Sequence, residues 1–267
     1  MRLGSAAGPA RAGPAHEAIY AALDRVTDPE LDESLLKLGF VEDVRVEGDG
    51  VTVALRLPTY WCAPNFAYLM ARDVRDRLLA IAGVGRVRVV LKDHFASDEI
   101  TAGVTQGRSF EEVFPGDAAG GLDALRDQFR RKAFTMRQEQ LVRYLLDAGL
   151  TPEEIVELRV GELASSSDGA GLVLRVHGAR RVRPGGADLA RAYLAKRRDL
   201  GLDCHLAARC VTDASGGAIA ANELQEYLRR TRRQRVSMAL NAALCGGLLA
   251  ARYGAAAPGR GPVRAQR

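Results

Sequence analysis

The sequence predicts an α+β protein. An N-terminal α-β-β-α-β domain with a three-stranded mixed sheet precedes a mostly α-helical C-terminal domain. Three observations predict this. Val51, Val53, Leu55 and Leu57 alternate with Thr52, Ala54 and Arg56, the period-two pattern of a half-buried strand. Phe66, Leu69, Met70, Val74, Leu78 and Ile81 then share one helical face, while Arg72/Asp76 and Asp73/Arg77 sit four apart on the other. Finally, the charge balance changes along the chain: residues 1–121 hold 13 Lys/Arg against 18 Asp/Glu, and residues 122–267 hold 25 against 15. A shift of that size beside Gly120-Gly121 marks a domain boundary.

Taken in order, residues 1–15 are Ala/Gly/Pro-rich and read as a disordered tail without the apolar core of a signal peptide. Ile19, Leu23 and Val26 put a short helix over 16–26, stopped at Thr27-Asp28-Pro29-Glu30. Residues 31–38 read as a helical turn ended by Gly39. Phe40 to Val46 is the first strand, and Glu47-Gly48-Asp49-Gly50 turns it into the second. After the helix that follows, Gly83 is its expected C-cap, and Val87, Val89 and Leu91 alternate in a third strand. The first domain thus spans 16–95. Residues 96–121 read as a linker, with Phe110, Val113 and Phe114 as docking residues.

The second domain, 122–254, is basic and mainly helical, and 255–267 read as a second disordered tail. Phe129 to Leu146 is helical with Gly149 as its stop, and Thr151-Pro152-Glu153-Glu154 opens the next helix with a capping box. Leu172–Val176 and Arg180–Arg183 suit a hairpin. Ala187–Arg198 and Asn222–Gln234 read as basic helices, and Ser237 as the cap of a last helix to Arg252.

Composition excludes several classes. An apolar fraction of 47% and a charged fraction of 27% describe an ordinary soluble chain. The longest apolar stretch, 238–251, contains Asn241 and two glycines and is too short to cross a bilayer. Four unevenly spaced cysteines without a secretory signal point to reduced thiols in the cytoplasm. No Walker loop, dinucleotide fingerprint, nucleophile elbow or metalloprotease motif is present.

Chemistry concentrates around Pro58-Thr59-Tyr60-Trp61-Cys62-Ala63-Pro64, where the second strand gives way to the helix. Pro64 suits the first helical turn, leaving Cys62 just before the helix N-terminus, where free N–H groups and the dipole favour a thiolate. A parallel crossover between the second and third strands brings Cys62 and Asp93-His94-Phe95 to one sheet edge. The entry to the first strand, preceded by Asp28 and Glu30, approaches the same edge. Cys62, His94, Asp28 and Glu30 together could bind a metal or cluster. The same residues also fit purely structural roles: Asp28 as a cap, Glu30 solvated, His94 in a surface loop, Cys62 as a small apolar residue.

Residues 16–95 resemble the PaaD/SufT-like metal–sulfur cluster assembly family. The matching pieces are Asp28-Pro29-Glu30, Leu38-Gly39-Phe40-Val41, Pro58-Thr59-Tyr60 leading to a cysteine and Pro64, and Gly83-Val84 before a strand. The resemblance implies a small α/β domain that helps to mature iron–sulfur proteins. Its reactive cysteine falls on Cys62, its acidic pair on Asp28 and Glu30, and its motif threonine on Thr59. There are departures: the family usually reads Gly-Cys-Pro where this chain has Trp61-Cys62-Ala63-Pro64. With the prolines aligned, Ala63 takes the cysteine position and Cys62 the glycine position. Lys37 replaces the usual Asp or Asn. The Trp61-to-Phe66 variant also resembles a branch found beside bacterial di-iron monooxygenases, which would make the client a di-iron hydroxylase.

The C-terminal half has a weak resemblance to a tyrosine-recombinase core. Ala148-Gly149-Leu150 and Arg235-Val236-Ser237 match by position, but Thr151, Ala239 and Ala242 replace the catalytic residues. Arg229, Arg230, Arg232, Arg233 and Arg235 form the densest basic cluster, a docking surface for an acidic protein or for nucleic acid. Cys204, His205 and Cys210 offer three zinc ligands without a fourth, and Cys245 reads as core.

Two functions follow. The first is a non-enzymatic assembly or maturation factor that transiently holds iron or an iron–sulfur cluster, with a client metalloprotein and the cluster-assembly machinery as partners. The second is a nucleic-acid-binding protein with an inactive recombinase-like domain.

Overall fold

A computed structural model describes residues 14–116, 121–165, 171–176 and 179–254. The expected tails at 1–15 and 255–267 fall almost wholly outside the described residues. The chain divides into two compact units, one holding the residues up to Asp123 together with those from Asn241 onward, the other Ala124–Leu240.

The first unit opens with α1 (His16–Leu23), whose Ile19 and Leu23 are buried. Two short strands follow, β1 (Thr27–Asp28) and β2 (Glu33–Ser34), paired antiparallel. This corrects the helical turn expected over 31–38. The Asp28 side chain accepts the N–H groups of Glu30 and Leu31, and Asp32 adopts a left-handed φ of 52°, so the backbone turns back on itself instead of coiling.

Strands β3 (Val41–Glu47) and β4 (Gly50–Arg56) form the expected hairpin, with Gly48 at φ 62° supplying the backbone geometry that the two-residue loop requires. Helix α2 (Pro64–Leu79) connects β4 to β5 (Arg86–Lys92), which pairs parallel with β4, giving a mixed sheet of order β3-β4-β5. The core alternation is as read: Val51, Val53, Leu55, Val87, Val89 and Leu91 are buried, and α2 buries Tyr68, Leu69, Met70, Val74 and Leu78. The helix ends four residues before Gly83, at Leu79, with Ala80 as its C-cap.

Residues 96–121, expected as a linker, are largely folded. Helix α3 (Ser97–Gln106) packs on β5 and α2 through Ile100 and Val104, and α4 (Phe110–Val113) carries a Ser109–Glu112 capping box. Phe110 is buried against Tyr68 and Phe114, so one of the expected docking residues is core of the first unit.

The second unit is built from α5 (Gly121–Asp147), α6 (Pro152–Glu157), a 3₁₀ turn at Val160–Glu162, β6 (Leu163–Ser165), β7 (Gly171–Val176), β8 (Ala179–Pro184), α7 (Gly186–Asp199) and α8 (Ala221–Tyr253). Thr151 and Glu154 form the predicted capping box of α6, and Gly149 at φ 85° ends the preceding turn. The three strands form an antiparallel sheet that adds β6 to the expected hairpin. Phe134, Leu141, Leu145, Ile155, Leu174 and Tyr193 belong to its core. A buried polar network crosses it. Gln138 bonds Thr212, Tyr193 and Tyr227, and the buried Arg197 donates to Tyr193, Thr212 and the carbonyls of Cys210 and Asp203.

The two helices expected over 222–234 and from Ser237 are a single helix, α8, because no glycine or proline interrupts the backbone before Gly246. Its 33 residues include an 18-residue window of mean hydropathy 1.2, so by length and composition it is long and apolar enough to cross a membrane. That was not apparent from 238–251 alone. Met238 and Leu249 on this helix are nonetheless buried within the protein.

Candidate metal and cluster site

The parallel pairing of β4 and β5 brings their C-terminal ends together, as the topology argument requires. The chain leaving β4 passes through Thr59, Tyr60, Trp61 and Cys62 into α2, whose N-cap Ala63 offers no side chain to the free N–H groups and whose first residue is Pro64. Cys62 precedes that cap, half-buried, with its Sγ 3.2 Å from Thr59 Oγ1. A sulfur there faces the positive end of a 16-residue helix and has a hydroxyl ready to donate to it.

The chain leaving β5 lies alongside. Phe95 N–H donates to the Tyr60 carbonyl (3.1 Å), and the His94 Nε2 atom lies 2.7 Å from the Cys62 carbonyl oxygen. The tautomer follows from the other nitrogen. The Ala96 backbone N–H can only donate, so Nδ1 accepts (3.2 Å), and in the neutral ring the proton sits on Nε2. Burial pushes the His94 pKa down, the hydrogen bond to Cys62 works in the opposite direction, and the Arg252 charge lowers it further. Placed this way, His94 holds the Cys62 loop through Nε2 and its own turn at Ala96 through Nδ1, so both nitrogens are occupied. It would have to release one to bind a metal.

Asp93, with a left-handed φ of 52°, turns the chain at this edge, and its carbonyl accepts from Arg252 (2.9 Å). Tyr60, Trp61 and Phe95 pack on one another at ring-centroid distances of 4.9–6.3 Å, yet Trp61 is 74% exposed. The result is a rigid aromatic patch beside the thiol.

Asp28 is buried, and both of its backbone hydrogen bonds go to Oδ1 (2.8 and 2.9 Å). Burial pushes its carboxyl up to about 6; the Leu31 and Glu30 N–H groups pull it down, and the Glu30 charge adds to the rise. Because this lies above the ordinary value of about 4, the folded state holds its proton longer than the unfolded chain does. The associated stability is complete below about pH 4 and lost as pH rises through about 6. Asp28→Asn keeps the accepting oxygen and removes the charge. It is expected to raise the unfolding free energy at pH 7 by up to about 3 kcal/mol and to change it little at pH 4. Urea unfolding at both pH values checks this, and equal effects at the two would contradict it. A cation bound at the rim would favour the carboxylate and oppose the gain.

One residue of this rim was not identified from the sequence. Cys245 reads as core, but it is half-buried on the last part of α8, within the first unit. Burial pushes its thiol up, and the charges of Asp28, Cys62 and Glu30 push it the same way. The helix stripe that carries it is anchored on both sides. Asn241 donates to Glu30 (3.3 Å), Leu249 lies against Gly39, and Tyr253 stacks under the Arg56 guanidinium. A cysteine 183 positions downstream of Cys62 leaves no spacing signal, so only the fold brings it here.

The second unit holds the other candidates. Arg229, Arg230, Arg232 and Arg233 are exposed, the first two paired with Glu226. Arg235 is instead half-buried against the fully buried Glu139 (2.8 Å), which also pairs with Arg143. It is therefore a structural member of the cluster. Cys204 Sγ bonds the Leu202 carbonyl, His205 is exposed, and Cys210 is buried with its thiol pushed up to about 12 by that burial. Among the described residues, no group of three or more His, Cys, Asp or Glu side chains stands close enough to hold a metal ion.

Residues 16–89 match the family model for iron-sulfur cluster assembly protein. No curated protein and no solved structure matches the chain. The match spans the segment that carries Cys62, Thr59, Asp28 and Glu30, a little over a quarter of the chain, and His94, Cys245 and the whole second unit lie beyond it.

Proposed function

We propose that this protein is a maturation factor. It takes up iron or an iron–sulfur cluster as cargo at the Cys62 rim and passes it to a client metalloprotein. The observation that carries this reading is the placement of Cys62, at the N-terminus of α2 and within reach of the Thr59 hydroxyl, in an assembly-family domain.

Few donors suit transfer better than many. Four closed protein ligands make a structural site, whereas one thiolate with carboxylates leaves positions free for a client's own ligands. Cargo then leaves by ligand exchange without ever being released to water. The protein's part is to bind and present, which is why we do not read it as a turnover enzyme. The exposed Trp61 with Tyr60 and Phe95 offers a rigid aromatic contact for the client at the point of transfer. By resemblance of its 61–66 segment, that client is a di-iron hydroxylase. The exposed arginines of α8 suit an acidic partner, and free thiols suit a reducing, cytoplasmic setting.

Anaerobic purification followed by iron and acid-labile sulfide analysis tests the proposal. Iron with matching sulfide is expected for a cluster carrier, and iron alone for a di-iron client. Neither metal nor sulfide, even after incubation with ferrous iron and sulfide, would overturn the reading. Submicromolar nucleic-acid binding with a steep salt slope would favour the rival function instead.

A further inference from the structure

We propose that one face of α8 is a contact surface for an anionic lipid bilayer, against which the helix lies without crossing it. This role does not depend on cargo at Cys62.

The first observation is exposure. Val236, Leu240, Leu244 and Leu248 follow one another at four-residue steps, so they share one face of α8. That face is open to solvent: Leu240 is 66% exposed, Leu244 62%, Val236 42% and Leu248 39%. Ala243, Gly247 and Ala251 lie among them and are also exposed. From Leu240 to Ala251 this face therefore carries no side-chain donor or acceptor. A row of leucines held in water gains free energy from any apolar surroundings that take it in, and a stripe without polar groups suits hydrocarbon.

The second observation is charge. Arg233 and Arg229 continue the same face one and two turns before Val236, with Arg230 and Arg232 beside them, and all four are exposed. From Arg229 to Arg267 the chain carries nine arginines and no aspartate or glutamate. An exposed apolar stripe continued by arginines matches a membrane interface, with leucines among the acyl chains and guanidinium groups at the phosphates.

The opposite face of the helix decides between lying on a bilayer and spanning it. Met238 and Leu249 are buried within the protein, and Asn241 donates to Glu30 (3.3 Å). A helix packed in this way on one side is not ringed by lipid, although it has a window of mean hydropathy 1.2.

Protein partners fit this face less well. The stripe from Val236 to Ala251 is about 22 Å long and about 10 Å wide. That gives on the order of 200 Å², against the roughly 800 Å² per partner of a stable protein interface. A second copy would also meet like charge: in a parallel pair the two Arg229–Arg233 clusters oppose each other, and in an antiparallel pair each lies toward the end that carries Arg252. A bilayer sets no such minimum area, because attraction of arginines to anionic headgroups adds to the apolar contact.

Co-sedimentation of the full-length protein with vesicles tests this. Vesicles of equal parts phosphatidylcholine and phosphatidylglycerol are expected to bind it at low salt, and phosphatidylcholine alone at least about tenfold more weakly. Leu240→Gln combined with Leu244→Gln should weaken binding to the mixed vesicles at least about tenfold. The helix signal should stay unchanged, because both side chains are exposed and glutamine suits a helix. Arg232→Gln combined with Arg233→Gln should also weaken binding and flatten its dependence on salt. Insertion has its own readout: in Leu244→Trp the emission should shift blue on mixed vesicles by more than that of the wild type, whose single tryptophan is Trp61. No binding to mixed vesicles, or binding that the leucine pair leaves unchanged, would overturn the inference. So would a lipid-free dimer in sedimentation velocity that the same pair dissociates, since the face would then belong to a second copy.

Discussion

The Cys62→Ser variant is expected to lose essentially all of the iron and sulfide that the wild type carries through anaerobic gel filtration. Serine is nearly isosteric, and its hydroxyl can still face Thr59, so the loop held by His94 should keep its shape. What disappears is the sulfur. A neutral hydroxyl beside a helix N-terminus remains protonated near neutral pH and is a poor ligand for iron. The melting temperature should move by no more than about 2 °C, as for other substitutions that leave packing intact. Retention of full cargo would make Cys62 a packing residue. Loss of cargo with a large drop in melting temperature would mean that the loop, and not the sulfur, had been removed.

The second large effect is on stability. Phe134 is fully buried in the second unit, its ring 5.5 Å from that of Tyr193. Phe134→Ala is expected to cost about 3–5 kcal/mol, from the lost transfer energy plus the cavity left behind. The surroundings cannot collapse easily into that space. Tyr193 is held by hydrogen bonds to Gln138, Arg197 and the Cys210 carbonyl, so moving it would break a buried polar network. Denaturant unfolding followed by helix signal measures this. A cost below about 1 kcal/mol would show that the network is softer than its hydrogen bonds imply.

Local pattern was enough to specify much of this molecule. Alternation at Val51–Leu57 and Val87–Leu91 required strands, because a period of two buries one face only in extended chain. Pro64 and Thr151-Pro152 set helix starts through backbone chemistry that does not depend on neighbours far away. One connecting helix then brings the ends of two parallel strands together, which is why the sequence alone places Cys62 and His94 on one edge. The family resemblance of 16–95 was legible for the same reason: its motifs are short and local.

What stayed hidden depended on contacts between distant residues. The 96–121 stretch looks like a linker because its helices are short and only weakly patterned, and their burial becomes evident only against β5 and α2. The turn at 28–34 is decided by one carboxylate that captures two backbone N–H groups, where propensity alone favoured a helix. His94 had the right position, but its two nitrogens were assigned by Ala96 and Cys62, a matter of ångströms. Cys245 shows the limit most clearly. Its apolar helical setting reads as core, and nothing in the 182 residues of intervening chain relates it to Cys62. Only the tertiary fold, by bonding Asn241 to Glu30 and seating Leu249 on Gly39, brings the face of α8 that carries this cysteine to the first unit, because those contacts join residues some 200 positions apart.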